Sequence, residues 1–488
     1  MRFGALLLFS LGITCAASAA SVRVTAEFPP SALGSHFSGR VVVYLSQQGG
    51  EPKMGPNWFS PEPCFSAKFQ DVKPGQSVVL SDSNTVGYPG KPSEIKPGTY
   101  RMQVVFDLNL GGRAIGDSPG NLFSIPQSVT VDPTQGLDAH AVCDQVVPQP
   151  IFQDTDQVKE VRVKSQLLTK FYHRDTYIMG AVALPEEALK EPMRKFPIYY
   201  DVPGFGGNHY MLSGAKGMRA THRDGVPFIV VILNPDCPTG HTVFADSANN
   251  GPWGAALTQE LMPEIEHRFP AVGTTATRFV GGHSSGGWSS LWLQVTYPKV
   301  FGGCWSTSPD PIDFRDFQQC NMYDKTQNEY TDPAGNPRPI ARFGLKPALF
   351  VKPFMMMEEP IRGEQLGSFE AVFGPRGKDG EVVRIWDRAN GAIDQKVFET
   401  WKQYDIGFKL RTHWKELAPT LAGKIHVYTG DIDTFYLEGA VRLVKADMAK
   451  LGADAVFEIW PGDHGSVMSA KLKSRIDKEM ADAARKGM

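Results

Sequence analysis

Ser284, Asp433 and His464 are the residues whose types and order in the chain could do chemistry together. A serine hydroxyl is a poor nucleophile until a base removes its proton, and the base needs an acidic partner to hold its tautomer. Ser284 is the centre of Gly282-His283-Ser284-Ser285-Gly286, between the apolar Phe279-Val280 and a stretch that reads as a helix from about Gly286. A strand, a sharp glycine-lined turn and a helix are what a G-x-S-x-G nucleophile elbow requires. His464, one of eleven histidines, stands in Pro461-Gly462-Asp463-His464-Gly465 after an apolar segment at 455–460. Both Asp433 and Asp431 follow the apolar run Ile425-His426-Val427-Tyr428. Asp433, at the mouth of the next helix, is the favoured acid, while Asp431 suits a turn in which it bonds its own backbone. Asp310, in Ser308-Pro309-Asp310-Pro311, is a third candidate. A tetrahedral intermediate also needs two backbone N–H groups aimed at its oxyanion. Ser285, directly after the nucleophile, supplies one. Phe205, in Pro203-Gly204-Phe205-Gly206-Gly207, is the expected second, with Gly204 or Gly206 as neighbours.

The elements that must position these residues alternate between strand and helix after about residue 158. An opening hairpin at 161–184 is followed by strands at 196–202, 228–233, 279–280, 300–307, 425–428 and 455–460. The run Phe228-Ile229-Val230-Val231-Ile232-Leu233 is apolar throughout, as a strand buried on both faces should be. A helix at 252–269, kinked at Pro263, and helices at 437–451 and 466–486 lie between or after the strands. This rhythm predicts a mostly parallel sheet covered by helices. The segment 311–423 interrupts it with many aromatics, and is read as an insertion over the site, a lid, partly helical at 394–409. Residues 21–147 are β-like, with Pro-Gly turns and an alternating strand at 100–108, and predict a small antiparallel β-sandwich in which nothing looks catalytic. Trp58, Phe59 and Tyr88 are the aromatics it would expose if it bound carbohydrate. Residues 148–157 suit a linker.

The 488 residues carry 50 Lys and Arg against 52 Asp and Glu, so no global charge points to nucleic acid. Met1-Arg2, a short apolar core at 3–13 and Ala16-Ala17-Ser18-Ala19-Ala20 describe a secretory signal peptide ending near residue 20. The reading is therefore a periplasmic or extracellular protein with no membrane span once that segment is removed. Of the remaining cysteines, Cys64 with Cys143 and Cys304 with Cys320 are the expected disulfide pairs, and none has zinc-ligand spacing.

The part of the chain after about residue 158 resembles the putative esterases related to esterase D, feruloyl esterases and mycolyltransferases. The likeness is carried by Asp201-Val202-Pro203-Gly204-Phe205-Gly206-Gly207, by 245–254, by the elbow, by 308–315 and by Gly430-Asp431-Ile432-Asp433-Thr434-Phe435-Tyr436-Leu437. A Pro-Gly pair replaces the usual His-Gly of the oxyanion loop, which changes a side chain and leaves the backbone donor. The resemblance implies an α/β-hydrolase fold and a serine carboxyl-ester hydrolase without metal or cofactor, acting on small or polysaccharide-linked esters. Asn250, Trp253, Asp310 and Arg315, in the matching segments, are then pocket candidates. Acyl transfer to an alcohol by the same triad, and a non-catalytic carbohydrate-binding protein on the same fold, are the alternative readings.

Overall fold

The computed structural model describes residues 21–214 and 220–488. The expected signal peptide lies outside the described residues. Among those described, no helix is long and apolar enough to cross a membrane.

Residues 22–146 form two facing sheets. One orders Val78–Ser81, Val22–Glu27 and Leu137–Val142; the other is built on Phe37–Ser46, Cys64–Val72 and Gly98–Asp107. Pairing is antiparallel except between Val22–Glu27 and Leu137–Val142, which run parallel. Phe28, Phe37 and Phe106 meet edge to face between the sheets, with ring centroids 4.9 to 6.3 Å apart. The alternation expected along 100–108 holds only at its start. Gln103, Val105 and Asp107 are buried as well as Val104 and Phe106. The reason is that the outer face of this sheet is covered: Val42, Tyr44, Cys64 and Val105 pack with Ile361, which comes from the second half of the chain.

The second half is an eight-stranded sheet. Its strands are β1 (Val158–Lys164), β2 (Tyr177–Ala183), β3 (Ile198–Val202), β4 (Ile229–Leu233), β5 (Arg278–His283), β6 (Gly303–Thr307), β7 (Ile425–Gly430) and β8 (Val456–Trp460). They lie in the order β1-β2-β4-β3-β5-β6-β7-β8. Only β2 runs against the direction of the other seven strands. The all-apolar β4 sends Ile229, Val231 and Leu233 to one core and Val230 and Ile232 to the other. This is why it shows no alternation.

The opening hairpin holds the helix Gln166–Tyr172 in its connection. The helix expected at 252–269 is helical from Trp253 to Arg268, but winds more widely over Leu257–Leu261, where Met262 N–H bonds the Leu257 carbonyl. Pro263 lacks an N–H, so the ladder loosens one turn ahead of it.

The insertion is shorter than its sequence suggests. Helix Ile406–Leu421 packs on the elbow helix Ser285–Thr296 and on Glu438–Lys450. It is the crossover that carries the chain from β6 to the parallel β7, a connection that a parallel pair requires. The irregular material is confined to about 311–394, with a hairpin of Pro339–Phe343 and Lys346–Phe350 and helices Val351–Glu358 and Gln365–Phe373. The expected disulfides are absent: Cys64, Cys143, Cys304 and Cys320 are buried free thiols. Cys64 lies on the outer face of its sheet while Cys143 points between the sheets, so their side chains are directed apart.

Candidate active site

The elbow is built by close backbone approach. Ser284 has φ 60° and ψ −125°, a conformation that L-residues rarely adopt. It is held there by the sheet, since Ser284 N–H donates to the Thr307 carbonyl of β6 at 3.0 Å, and its own carbonyl accepts from Trp288 at 3.0 Å. Glycine is compulsory on both sides. A Cβ on Gly286 would sit 1.9 Å from the Val202 carbonyl oxygen, and one on Gly282 would come within 2.5 Å of Gly286 and Val202. Strand, turn and helix close around Ser284 only because neither residue has a side chain.

His464 follows β8 and Asp433 follows β7. His464 Nδ1 lies 2.8 Å from Asp433 Oδ2, and Asp433 is fully buried. A carboxylate only accepts, so Nδ1 carries the proton and Nε2 is left as the acceptor. The other oxygen of Asp433 accepts the Phe435 N–H at 2.9 Å. His464 and Ser284 line one cavity of about 280 Å³. Asp431 instead caps the neighbouring turn, accepting from Gly462 N–H at 2.9 Å.

In the loop Pro203-Gly204-Phe205-Gly206-Gly207, the setting of the expected second oxyanion donor, Gly207 N–H bonds the Gly204 carbonyl at 3.0 Å, and Gly206 takes φ 83°. The turn's own hydrogen bond thus leaves the Phe205 N–H out. Ser285 opens the elbow helix, where first-turn N–H groups have no partner within the helix. Gly204 brings the loop against Ser284, with only 3.4 Å between a Cβ built there and Ser284 Cβ.

Asp310 lines the same cavity but makes its hydrogen bonds to residues other than His464. Its Oδ2 accepts from the Ser285 hydroxyl at 2.5 Å and from Gln365 Nε2 at 3.2 Å. Burial pushes its pKa up to about 6 against these hydrogen bonds. The other three pocket candidates lie elsewhere. Asn250 is buried beside Thr239 and Tyr172, which bond its side chain and carbonyl. Trp253 borders a cleft between the two halves of the chain. Arg315 is tied up between Asp313 and Asp447, each at 2.6 Å. Their motifs are near the site in sequence, but these side chains serve the packing of loops.

Several residues that shape the site carry no sequence signal of their own. Ile340, Leu349, Phe354 and Phe369 from the insertion, with Phe435, give the cavity an apolar lining. His241, fully buried, donates from Nε2 to the Pro203 carbonyl at 2.9 Å and accepts the Val243 N–H on Nδ1 at 3.0 Å. It braces the start of the Pro203–Gly207 loop as a neutral ring, its pKa driven down to about 4 by burial. His283 donates from Nδ1 to Thr307 Oγ1 at 3.0 Å, because the threonine hydroxyl is spent on the Gly282 carbonyl. Burial, then neighbouring His464, lowers its pKa to about 4. A pattern of glycines and a triad order could be read directly; these contacts depend on which loops meet in space.

Residues 175–405 match the model of a family described as "Putative esterase". No curated protein matches the chain. Among solved structures, a ferulic acid esterase is 13% identical, with a TM-score of 0.37 over 69% of this chain and 100% of its own. An S-formylglutathione hydrolase from Agrobacterium tumefaciens is 16% identical, with a TM-score of 0.39 over 69% and 98%. A fluorophosphonate-binding serine hydrolase of Staphylococcus aureus is 13% identical, with a TM-score of 0.39 over 67% and 98%. The family match, with the sheet order and the elbow, identifies the α/β half as a serine carboxylic-ester hydrolase of the α/β-hydrolase fold.

Proposed function

We propose that this esterase works through Ser284 as nucleophile, His464 as general base and acid, and Asp433 as the group that orients His464. The observation that carries the reading is the His464 Nδ1 to Asp433 Oδ2 contact of 2.8 Å, made to a fully buried carboxylate. It leaves Nε2 free to accept in the cavity where Ser284 lies. Ser284 Oγ attacks the ester carbonyl as its proton passes to His464. The oxyanion is met by the N–H groups of Phe205 and Ser285, each worth on the order of 3 kcal/mol in such a site. Collapse expels the alcohol, which takes the proton from His464. Water, deprotonated by the same ring, then releases the acid and regenerates the serine. No step calls on a metal or an organic cofactor.

The apolar walls favour an ester whose group in this cavity is a hydrocarbon or an aromatic acyl chain. Acyl groups decorating polysaccharides, and other extracellular esters, fit that description. The basic, apolar and small-residue pattern of the first twenty residues supports export of the enzyme.

The test is hydrolysis of p-nitrophenyl butyrate together with labelling by a fluorophosphonate, on wild type and Ser284→Ala. Both signals are expected in the wild type and neither in the variant. Turnover or labelling that survives in Ser284→Ala would remove Ser284 from the mechanism.

A further inference from the structure

We infer that the N-terminal β region is part of the catalytic unit, and that its Trp58 limits the size of the apolar group accepted beside Ser284. The inference rests on the serine-esterase reading above. Trp58 stands at the tip of a tight turn between Asn57 and Ser60, on the connection between strands Phe37–Ser46 and Cys64–Val72. Far from being displayed to solvent, its ring enters the wall of the nucleophile's cavity. It lies 5.5 Å from the ring of Phe205, 5.1 Å edge-on from Phe354 and 6.3 Å from Phe435. The indole N–H donates to Glu364 Oε2 at 3.0 Å, which fixes the ring's rotation.

What lies behind the ring makes it a size limit. Trp58 and Phe205 are shared with a second cavity, of about 270 Å³, at the junction of the two halves of the chain. That cavity is lined by Lys53, Arg113, Arg362 and Glu364. Tyr44, Met54, Ile115 and Ile361 line it too, so a hydrocarbon chain filling the first cavity ends against the indole, and removing the indole would open apolar wall beyond it.

The β region is also fastened to this spot. Arg362 Nε and Nη2 grip Asp107 at 2.6 and 2.7 Å, and Arg40 donates to the Glu359 and Pro360 carbonyls at 3.3 and 3.1 Å. Arg113 lies 4.7 Å over the Phe205 ring. Two side chains of the β region thus hold the residue whose N–H faces the oxyanion. A tethered spacer requires none of these contacts.

The experiment compares kcat/KM for p-nitrophenyl butyrate and decanoate in wild type, Trp58→Ala and Trp58→Phe. Each buried methylene is worth about fourfold in affinity. Opening the wall is therefore expected to raise the decanoate to butyrate ratio about tenfold or more in Trp58→Ala, chiefly through KM for decanoate. Trp58→Phe keeps a ring in the wall and should hold the ratio within about threefold of wild type. A Trp58→Ala ratio no different from wild type, with an unchanged circular dichroism spectrum, overturns the inference. Calorimetric binding of decanoate and butyrate to Ser284→Ala, and to the same variant carrying Trp58→Ala, reads the wall without turnover. If the serine mechanism fails, this affinity ratio still rises when Trp58 is the limit; equal ratios refute the role of Trp58 whatever the mechanism.

Discussion

Replacing Asp433 with asparagine keeps the shape of the acid and changes the direction of one hydrogen bond. In the native site Oδ1 accepts from Phe435 N–H and Oδ2 from His464 Nδ1–H. An asparagine must leave its oxygen on the backbone N–H, which can only donate, and so turns its NH₂ toward His464. Nδ1 then becomes an acceptor and the imidazole proton moves to Nε2, the atom that has to take the serine proton. The base is present and held in the wrong tautomer. For such a reversal kcat falls about 10,000-fold, equivalent to about 5 kcal/mol of transition-state stabilisation. Asp310→Asn is the control, because Asp310 accepts from Ser285 and Gln365, with no hydrogen bond to His464. Its loss should stay under about tenfold, the cost of a loosened neighbour. It should also remove any inflection near pH 6 that kcat/KM owes to the Asp310 carboxyl. The assay is the pH profile of p-nitrophenyl butyrate hydrolysis for the three proteins, with folding checked by circular dichroism. If Asp310→Asn falls as far as Asp433→Asn or further, the acid has been misassigned and the tautomer argument fails with it.

Gly286→Ala would drive a Cβ to 1.9 Å from the Val202 carbonyl oxygen, a rigid backbone atom. It should destabilise the fold by about 3 kcal/mol or more and abolish fluorophosphonate labelling, seen as a lowered urea midpoint and an unlabelled protein. Arg342, in the insertion, donates to the Asp433 carbonyl at 2.9 Å and to Glu438, and lies 4.3 Å over the Tyr436 ring. Arg342→Met should lower kcat about 10- to 100-fold with little change in KM, and Arg342→Lys should recover part of it; a KM effect alone would show that the residue only shapes the pocket. Stability should also fall in acid. His241 is neutral in the fold with its pKa near 4, so the unfolded chain takes up the proton first, and the stabilisation present above pH 6.5 is lost as pH drops toward 4. The contribution is about 3 kcal/mol at most. Urea melts at pH 7 and 4.5 measure the drop, and His241→Gln should show a smaller one.

Much of the α/β half was legible because its signals are local. The glycines around Ser284 are dictated by atoms one turn away, and the apolar β4 by its central place in the sheet. The disulfide pairs were not, since which face of a sheet a cysteine takes depends on register, and Cys64 and Cys143 take different ones. The pocket candidates Asn250, Trp253 and Arg315 show the same limit. Each lies in a stretch resembling an esterase motif, yet its side chain is occupied by Thr239, a cleft or two carboxylates. Motif proximity reports which backbone comes near the nucleophile and is silent on which way a side chain leaves it.

Trp58 fails in the opposite direction, and the physical reason is instructive. As a sequence feature it was an aromatic in a turn-rich β segment, for which exposure is the default, and Phe59 beside it is indeed 44% exposed. What redirects Trp58 is a partner surface invisible to any local pattern: a half-buried Glu364 to receive the indole N–H and three aromatic rings to surround it. A neighbouring contact explains part of the broken alternation along Gly98–Asp107, where Val105 and Asp107 meet Ile361 and Arg362, while Gln103 is covered by Lys53 and Ser124 of the β region itself. Consecutive apolar residues in a strand of a region read as a small antiparallel β-sandwich are therefore a sequence-level hint that something docks there. Val104 and Phe106 fill the space between the sheets, and Val105 between them is apolar because Ile361 covers the opposite face.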